Sequence, residues 1–222
     1  MNTIVLRVVA ALAIVALAGC ARGPLTEQEI LYAPVGASDV VGLGAIPLSR
    51  GYVFRIEEAL EAQGRDVDLI PLAIPVADTR RVNRVVRVFL RTRAEPGLVT
   101  IWLGSNDLIQ GIPPEEFEAE LERVVSSLRN QTDAFIAIGN IPDLPSLPRF
   151  VENPEPTVTD ERVSEYNAVI AGIADAHNVP VVDFFAAPVE DELVSDIDGF
   201  HPSNEGHQRV AEMFLEVILP EL

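Results

Sequence analysis

Five apolar runs of strand length, separated by segments with helical periodicity, constrain the fold of this chain more than any other feature. The runs are rich in Val, Ile and Leu and lack polar alternation, which is typical of strands buried on both faces. Parallel strands between two helix layers have this pattern. The sequence therefore predicts an α/β fold, a three-layer α/β/α sandwich around a doubly wound parallel sheet of about five strands. The runs lie at Leu31–Gly36, Val67–Ile74, Leu98–Leu103, Ala134–Ile138 and Val179–Phe184.

Helical patterns fill the intervals between these runs, and a last one follows the fifth run. The chain has 222 residues, enough for one good-sized α/β domain and short for two. We find no internal repeat and no domain linker, so residues 30–222 are assigned to a single domain. The helices are expected near Arg50–Gln63, Asp78–Arg93, Pro114–Asn130 and Thr159–His177, and from about Ser203 to Ile218.

The first twenty residues have the pattern of an export signal. An apolar run of signal-peptide length, short for a membrane span, precedes Leu17-Ala18-Gly19-Cys20. This tetrapeptide resembles a bacterial lipobox, in which the leader is removed and the cysteine is lipidated. We therefore interpret 1–19 as a lipoprotein signal peptide and 20–29 as a tether lipidated at Cys20, which anchors the exported protein to a membrane of the cell envelope. An ordinary signal peptide or an uncleaved anchor is the alternative.

The charge of the chain argues against one class of partner. It has 34 acidic and 16 basic residues, and its formal net charge is -18. Proteins bind nucleic acid largely by neutralising phosphates with Lys and Arg, so we expect no nucleic-acid partner. A basic patch that binds anionic lipid is disfavoured for the same reason. The membrane contact that we expect is therefore the N-terminal lipid anchor.

Residues that can carry chemistry follow the apolar runs. Ser38 and Asp39 follow the first run, Asn106 follows the third, and Asp198 and His201 come after the fifth. The carboxyl ends of parallel strands meet at one edge of a sheet, so these residues can converge. A serine needs a base, imidazole titrates near neutrality, and a carboxylate can orient the ring. For Ser38 the alternative is a plain strand-to-helix turn, where Gly and Ser are common.

Three short motifs around these residues resemble those of the SGNH hydrolase family, also called GDSL-type esterases and lipases. They read GASD (36–39), GSND (104–107) and DGFHPS (198–203), in the order of the family. The resemblance implies a flavodoxin-like sandwich that hydrolyses acyl esters without a metal, and we expect no cofactor. It assigns the nucleophile to Ser38, the acid and base to Asp198 and His201, and an oxyanion donor to Asn106. The backbone N–H of Ser38 is expected as a second donor.

The sequence departs from the family in two places. Ala37 stands where an aspartate usually precedes the serine, and Asp39 follows the serine instead. The family usually supplies a glycine N–H as an oxyanion donor after the second strand, and Val76 occupies that place. A backbone donor survives this replacement if φ stays negative, whereas a positive φ strains valine. We expect the Val76 N–H to be the third donor.

A proline-rich segment, 140–158, interrupts the alternation of strands and helices. Long loops of this kind are usually functional or disordered, and this one follows the fourth run at the ligand-binding edge. We expect Leu144, Leu147 and Phe150 from this segment, with Phe200, to line a substrate pocket. A merely rigid surface loop is the alternative.

These features together predict a lipid-anchored serine esterase of the cell envelope. Its expected substrate is an acyl ester, which can be a lipid, an acetylated glycan or a small ester. A non-catalytic envelope lipoprotein that keeps the fold and binds a glycan or lipid is the rival hypothesis. A fluorophosphonate probe separates the two, because it labels an activated serine.

Overall fold

The computed structural model describes residues 29–222, and a parallel sheet interrupted at two prolines forms its centre. Pro34 and Pro71 each divide one predicted strand into two short strands in line, because proline has no N–H to donate to a ladder. The strands are β1 (Glu29–Tyr32), β2 (Val35–Gly36), β3 (Asp66–Leu69), β4 (Leu72–Ala73), β5 (Leu98–Trp102), β6 (Phe135–Gly139) and β7 (Val181–Val182).

The strands have the order that the flavodoxin-like prediction requires. β1 pairs with β3 and β5, and β2 pairs with β4 and β5. β6 pairs with β5 and β7, and every one of these pairings is parallel. With β1–β2 and β3–β4 each counted as one line, the order is β3/β4, β1/β2, β5, β6, β7. The prediction of an α/β fold with a parallel sheet is therefore confirmed.

Helices cover both faces of the sheet. α1 and α7 pack against each other on one face, and α2, α4 and α6 pack side by side on the other. In residues 29–222 the α-helices are α1 (Tyr52–Glu61), α2 (Thr79–Arg91), α3 (Ser105–Ile109), α4 (Pro114–Gln131), α5 (Pro148–Glu152), α6 (Asp160–His177) and α7 (Asn204–Ile218). Short 3-10 turns lie at Leu48–Arg50, Leu144–Ser146, Asp191–Leu193 and Leu219–Glu221.

Three helices begin where a capping side chain precedes them. The side chains of Asp78, Thr159 and Ser203 accept hydrogen bonds from backbone N–H groups of the first turns of α2, α6 and α7. Such caps satisfy donors that have no partner within the helix. The predicted helix starts at these places therefore agree with the structure to within one residue.

The two faces of the sheet bury different kinds of side chain. Beneath α1 and α7, Tyr52 stacks on Phe214 at 5.6 Å and meets Trp102 edge-on at 5.7 Å, between ring centroids. Beneath α2, α4 and α6 the buried cluster is largely aliphatic. Burial of each large apolar side chain stabilises the fold by about 1.5–3 kcal/mol. Both layers therefore hold the strands in place and fix the edge at which the polar residues meet.

The predictions for the N-terminus lie outside the described residues. The signal peptide 1–19, the lipidated Cys20 and nearly all of the tether 20–29 belong to that part of the chain. Within residues 29–222, none of the helices is both long enough and apolar enough to cross a bilayer.

Candidate active site

Ser38 lies directly after β2, in a turn that passes close to β5. A Cβ at Gly36 would lie 2.6 Å from Cγ2 of Val40 and 2.9 Å from the carbonyl oxygen of Trp102. The carbonyl of Ser38 accepts the N–H of Leu43 at 3.0 Å. Ser38 itself is only 3% exposed. Residue 36, two positions before the serine, is therefore a glycine because the turn leaves no room for a side chain there.

His201 meets Ser38 across the edge of the sheet. Nε2 of His201 lies 2.8 Å from Oγ of Ser38, and Nδ1 lies 2.5 Å from Oδ2 of Asp198. Oδ1 of Asp198 accepts the backbone N–H groups of Phe200 and His201, each at 3.0 Å. Ser38, His201 and Asp198 thus form one hydrogen-bonded series, although 160 positions separate the serine from the aspartate.

The hydrogen bonds of this series shift the pKa of both ionisable groups. Burial alone would raise the pKa of Asp198, but hydrogen bonds from His201 and Phe200 favour the carboxylate and lower the pKa to about 2. Burial alone would lower the pKa of His201, but the hydrogen bond to Asp198 and the negative charges of Asp39 and Asp198 raise it above its ordinary value. The aspartate therefore stays ionised at neutral pH, and the imidazole is a stronger base than a free one.

A small recess adjoins Ser38. Ala37 and Asp39, which flank the serine, line this recess together with Ala77 and Asn106. The side-chain amide of Asn106 donates one hydrogen bond to the carbonyl of Ala77 at 3.1 Å. A primary amide carries two N–H donors, so one of them remains to serve the recess. The structure thus brings the predicted asparagine to the same recess as the serine loop.

Val76 has the backbone conformation that strains a valine. Its φ is 64°, in the left-handed region, and its side chain is 66% exposed. A non-glycine residue there costs roughly 1–2 kcal/mol. The turn is held from both sides, because Gln110 donates to the carbonyl of Val76 at 3.3 Å and the N–H of Ala77 donates to the carbonyl of Ile74 at 3.1 Å. Ala77, next to Val76, lines the recess.

A larger apolar cavity of about 110 Å³ adjoins the recess and shares with it the walls formed by Asp39, Trp102 and Ser105. The predicted pocket residues Leu144, Leu147 and Phe200 line it. Phe150 is not among the lining residues, because it is buried behind Phe200, edge-on at 5.7 Å between centroids. The sequence analysis missed the walls from the loop after β7 and from α7. They include Phe184, Ala187, Pro188, Val189, Leu193, Val194, Val210 and Met213.

The sequence model of the GDSL-like Lipase/Acylhydrolase family matches residues 35–209, which contain Ser38, Asn106, Asp198 and His201. The chain belongs to this family. This GDSL-type protein is an ester-hydrolysing enzyme, and its parallel sheet with helices on both sides agrees with the folds of its structural neighbours.

Proteins similar to this GDSL enzyme are esterases. Esterase TesA of Pseudomonas aeruginosa is 24% identical over 212 residues, 93% of this chain and 98% of that protein. An arylesterase of Vibrio mimicus is 24% identical over 180 residues, 80% of this chain and 82% of that protein. The crystal structure of the psychrotrophic esterase EstA from Pseudoalteromonas sp., inhibited by monoethylphosphonate, superposes with a TM-score of 0.69 at 20% identity. That superposition covers 86% of this chain and 97% of EstA.

A buried carboxylate supports the recess of this enzyme. Asp107 is 2% exposed, and both of its oxygens accept the backbone N–H of Thr79, at 3.1 and 3.0 Å. Its Oδ2 also accepts the hydroxyl of Thr79 at 2.9 Å. Burial raises the pKa of Asp107 to about 6, although the hydrogen bonds from Thr79 oppose this shift. Asp107 thus joins the start of α2 to α3, the helix that carries Asn106.

A second histidine holds the loop that follows the serine in the GDSL enzyme. His207 is fully buried, its Nδ1 accepts the N–H of Tyr52 at 3.2 Å, and its Nε2 donates to the carbonyl of Leu43 at 2.9 Å. These partners require the neutral ring protonated at Nε2. Burial lowers the pKa of His207, which favours that neutral form. His207 is therefore structural.

Residues 29–222 contain no cluster of three or more His, Cys, Asp or Glu side chains that is placed to hold a metal ion.

Proposed function

We propose that this GDSL enzyme is a serine esterase that uses Ser38, His201 and Asp198 as a catalytic triad. Oγ of Ser38 attacks the ester carbonyl carbon, and Nε2 of His201 takes the proton from the hydroxyl. The same proton then passes to the leaving alcohol. The single observation that carries the proposal is the hydrogen-bonded series of 2.8 Å and 2.5 Å from Ser38 to His201 and from His201 to Asp198. Serine hydrolases of unrelated folds use this arrangement.

Each residue of the series has a distinct task in this mechanism. Asp198 fixes the tautomer of His201 through Nδ1 and stabilises the imidazolium that forms, without itself accepting the proton. Its pKa of about 2 keeps it ionised throughout. Water then attacks the acyl-enzyme, with His201 acting as the base a second time.

The recess beside Ser38 is proposed to hold the oxyanion of the tetrahedral intermediate. The donors are the free N–H of the Asn106 amide, the backbone N–H of Ser38 and the backbone N–H of Val76. Such donors stabilise charge that exists mainly in the transition state, so they act on kcat. The inhibition of EstA by monoethylphosphonate supports the proposal, because a phosphonate has the tetrahedral shape of this intermediate.

The first test is labelling of the purified protein by a fluorophosphonate probe. We expect labelling of the wild-type protein, none of Ser38→Ala, and undiminished labelling of Ser146→Ala. Ser146 is a matched control, because it lies in a 3-10 turn and bonds to Asp143 rather than to a histidine. Equal absence of labelling in the wild type and in Ser38→Ala would overturn the proposal and favour the non-catalytic lipoprotein.

We also propose that the enzyme is anchored in the cell envelope through a lipid on Cys20 and acts there on an acyl ester. The support is the lipobox-like sequence 17–20 after an apolar run. Cys20→Ser is expected to move the protein from the membrane fraction to the soluble fraction or to block its processing. Membrane association and processing that are both unchanged in Cys20→Ser would refute the anchor without touching the esterase proposal.

A further inference from the structure

We propose that the apolar cavity between α7 and the loop after β7 binds the acyl chain of the ester and favours a chain of about four carbons. The inference rests on the proposed serine mechanism and names the substrate class of the same site. Part of its wall comes from 184–194 and from α7, which contain no residue of the triad, so size variants in this part leave the reacting groups unchanged.

The cavity and the recess adjoin each other. The two share Asp39, Trp102 and Ser105 as lining residues, and Asp39 and Ser105 are the chain neighbours of Ser38 and Asn106. The carbonyl oxygen of an ester and the first carbon of its acyl chain are bonded to the same carbon atom. We therefore infer that an ester whose carbonyl oxygen lies in the recess extends its acyl chain past these shared residues toward the cavity.

The walls of the cavity are mainly apolar. Phe184, Leu193, Val194, Val210 and Met213 present hydrocarbon or thioether surface. A buried methylene gains about 0.8 kcal/mol from transfer out of water, which corresponds to about fourfold in kcat/KM for each methylene that enters the cavity.

The charged walls fit an uncharged chain. The two charged side chains that line the cavity are Asp39, at the end shared with the recess, and Arg209, which is about half exposed and pairs with Glu212 at 3.9 Å. A substrate with an anionic acyl group would place its charge near Asp39 at the end shared with the recess. The cavity therefore favours a neutral acyl chain over an anionic one.

The volume of the cavity limits the length of the chain that it can hold. The cavity measures about 110 Å³. An apolar cavity of 150 Å³ binds one benzene molecule, which has six carbons. Scaled to that example, the cavity holds roughly four carbons, so butyryl esters fit and a decanoyl chain has to project from it.

The test compares two adjacent alanines. Ala187 lines the cavity, and Ala186, its neighbour, is exposed and does not. Wild-type kcat/KM is expected to be about sixteenfold higher for p-nitrophenyl butyrate than for the acetate, from two methylenes at about fourfold each, and to fall again for the decanoate. Ala187→Leu fills the cavity and is expected to bring the butyrate-to-acetate ratio close to one. Ala186→Leu is expected to leave the ratio at its wild-type value.

A second variant changes the cavity in the opposite direction. Met213→Ala removes a side chain from the wall on α7 and is expected to move the optimum from butyrate to hexanoate or longer. Thermal unfolding of each variant establishes that it is folded, and a variant that fails to fold leaves the other to decide. An unchanged chain-length profile in the folded variants would overturn the inference.

A third measurement distinguishes binding of the acyl chain in the cavity from binding of the alcohol. In a series of acetate esters of increasingly long alcohols, kcat/KM of Ala187→Leu is expected to change with the length of the alcohol as it does in the wild type. If it alters this series instead of the acyl series, the cavity binds the alcohol and the inference is wrong. If the wild-type protein neither reacts with the fluorophosphonate nor hydrolyses any ester, the proposed function fails and the inference falls with it. Labelling of Ser38 without any chain-length preference overturns the inference alone.

Discussion

The two halves of the site are built in different ways. On the histidine side, three hydrogen bonds join Asp198 to Phe200 and His201 within a segment of four residues, and a fourth joins His201 to Ser38. The one positive φ in this segment belongs to a glycine, Gly199. On the recess side, Val76 has a φ of 64°, and donors from Asn106 and Gln110 hold its turn. Side chains thus determine the first half, and backbone conformation determines the second. A motif reveals the first kind directly, whereas the second depends on contacts between distant segments.

The largest effect that can test this comparison comes from the histidine side. Ser38→Ala and His201→Ala are each expected to lower kcat by about 10⁴-fold or more, because nucleophile and base act in one step. Steady-state hydrolysis of p-nitrophenyl butyrate measures the loss. The double variant is expected to be little worse than either single one, since groups that act as a unit do not add. Losses that multiply would mean that the serine and the histidine act in separate steps.

The next largest loss of activity is expected from Asn106, whose side chain lines the recess. Asn106→Ala is expected to lower kcat by about 10²–10³-fold with little change in KM, because the charge that the amide stabilises exists mainly in the transition state. The amide also bonds to the carbonyl of Ala77, so the thermal transition must be measured alongside the rate. A KM that rises with kcat unchanged would show that Asn106 binds the ground-state ester and is no oxyanion donor.

A smaller effect concerns Asp39, which lies between the two halves. Only the neutral imidazole accepts the proton of Ser38, so kcat/KM is expected to fall as the pH drops through the pKa of His201. That pKa is raised by Asp198 and by the charge of Asp39. Asp39→Asn removes one negative charge, so we expect the acid limb of the profile to move to lower pH.

The control for this shift is Asp175→Asn, in the last turn of α6, which is expected to leave the acid limb in place. Salt screens charges at the site, and the shift caused by Asp39→Asn should shrink as ionic strength rises. An acid limb that stays fixed in Asp39→Asn at low salt would remove Asp39 as a cause of the raised pKa.

Residues at strand ends could be predicted from the sequence because their positions follow from the topology. Ser38, Asn106, Asp198 and His201 each follow a predicted strand, and a parallel sheet brings such ends to one edge. The structure places these four residues together at that edge, as the strand ends predict. Their catalytic roles stay predictions.

Other features depend on packing that no local pattern expresses. The sign of φ at Val76 is set by a turn that Gln110, 34 residues later, helps to hold. Phe150 lies within the predicted loop 140–158, but its place behind Phe200 is decided by how α5 packs. The loop 184–194 has no periodicity, so its share in the cavity was missed, although its apolar residues follow a strand at the ligand-binding edge.

The smallest effect tests the strain on the recess side directly. Val76→Gly removes a residue that costs roughly 1–2 kcal/mol at positive φ and adds about 0.5–1 kcal/mol of backbone entropy lost on folding. We expect the free energy of unfolding to rise by about 0.5–1 kcal/mol, which raises Tm by about 1–4 °C for a domain of this size. The N–H of residue 76 is kept, so kcat should stay within a few-fold of the wild type.

The matched control for Val76→Gly is Val88→Gly. Val88 is also an exposed valine, at 54% against 66%, but it lies inside α2 with ordinary helical geometry. Glycine in a helix interior is unfavourable, so this variant should lose a few tenths to 1 kcal/mol and lower Tm. If Val76→Gly raises Tm and Val88→Gly lowers it, the backbone strain lies at Val76. If both variants lower Tm alike, the valine side chain stabilises the turn, and the difference between the two halves of the site does not lie in backbone strain.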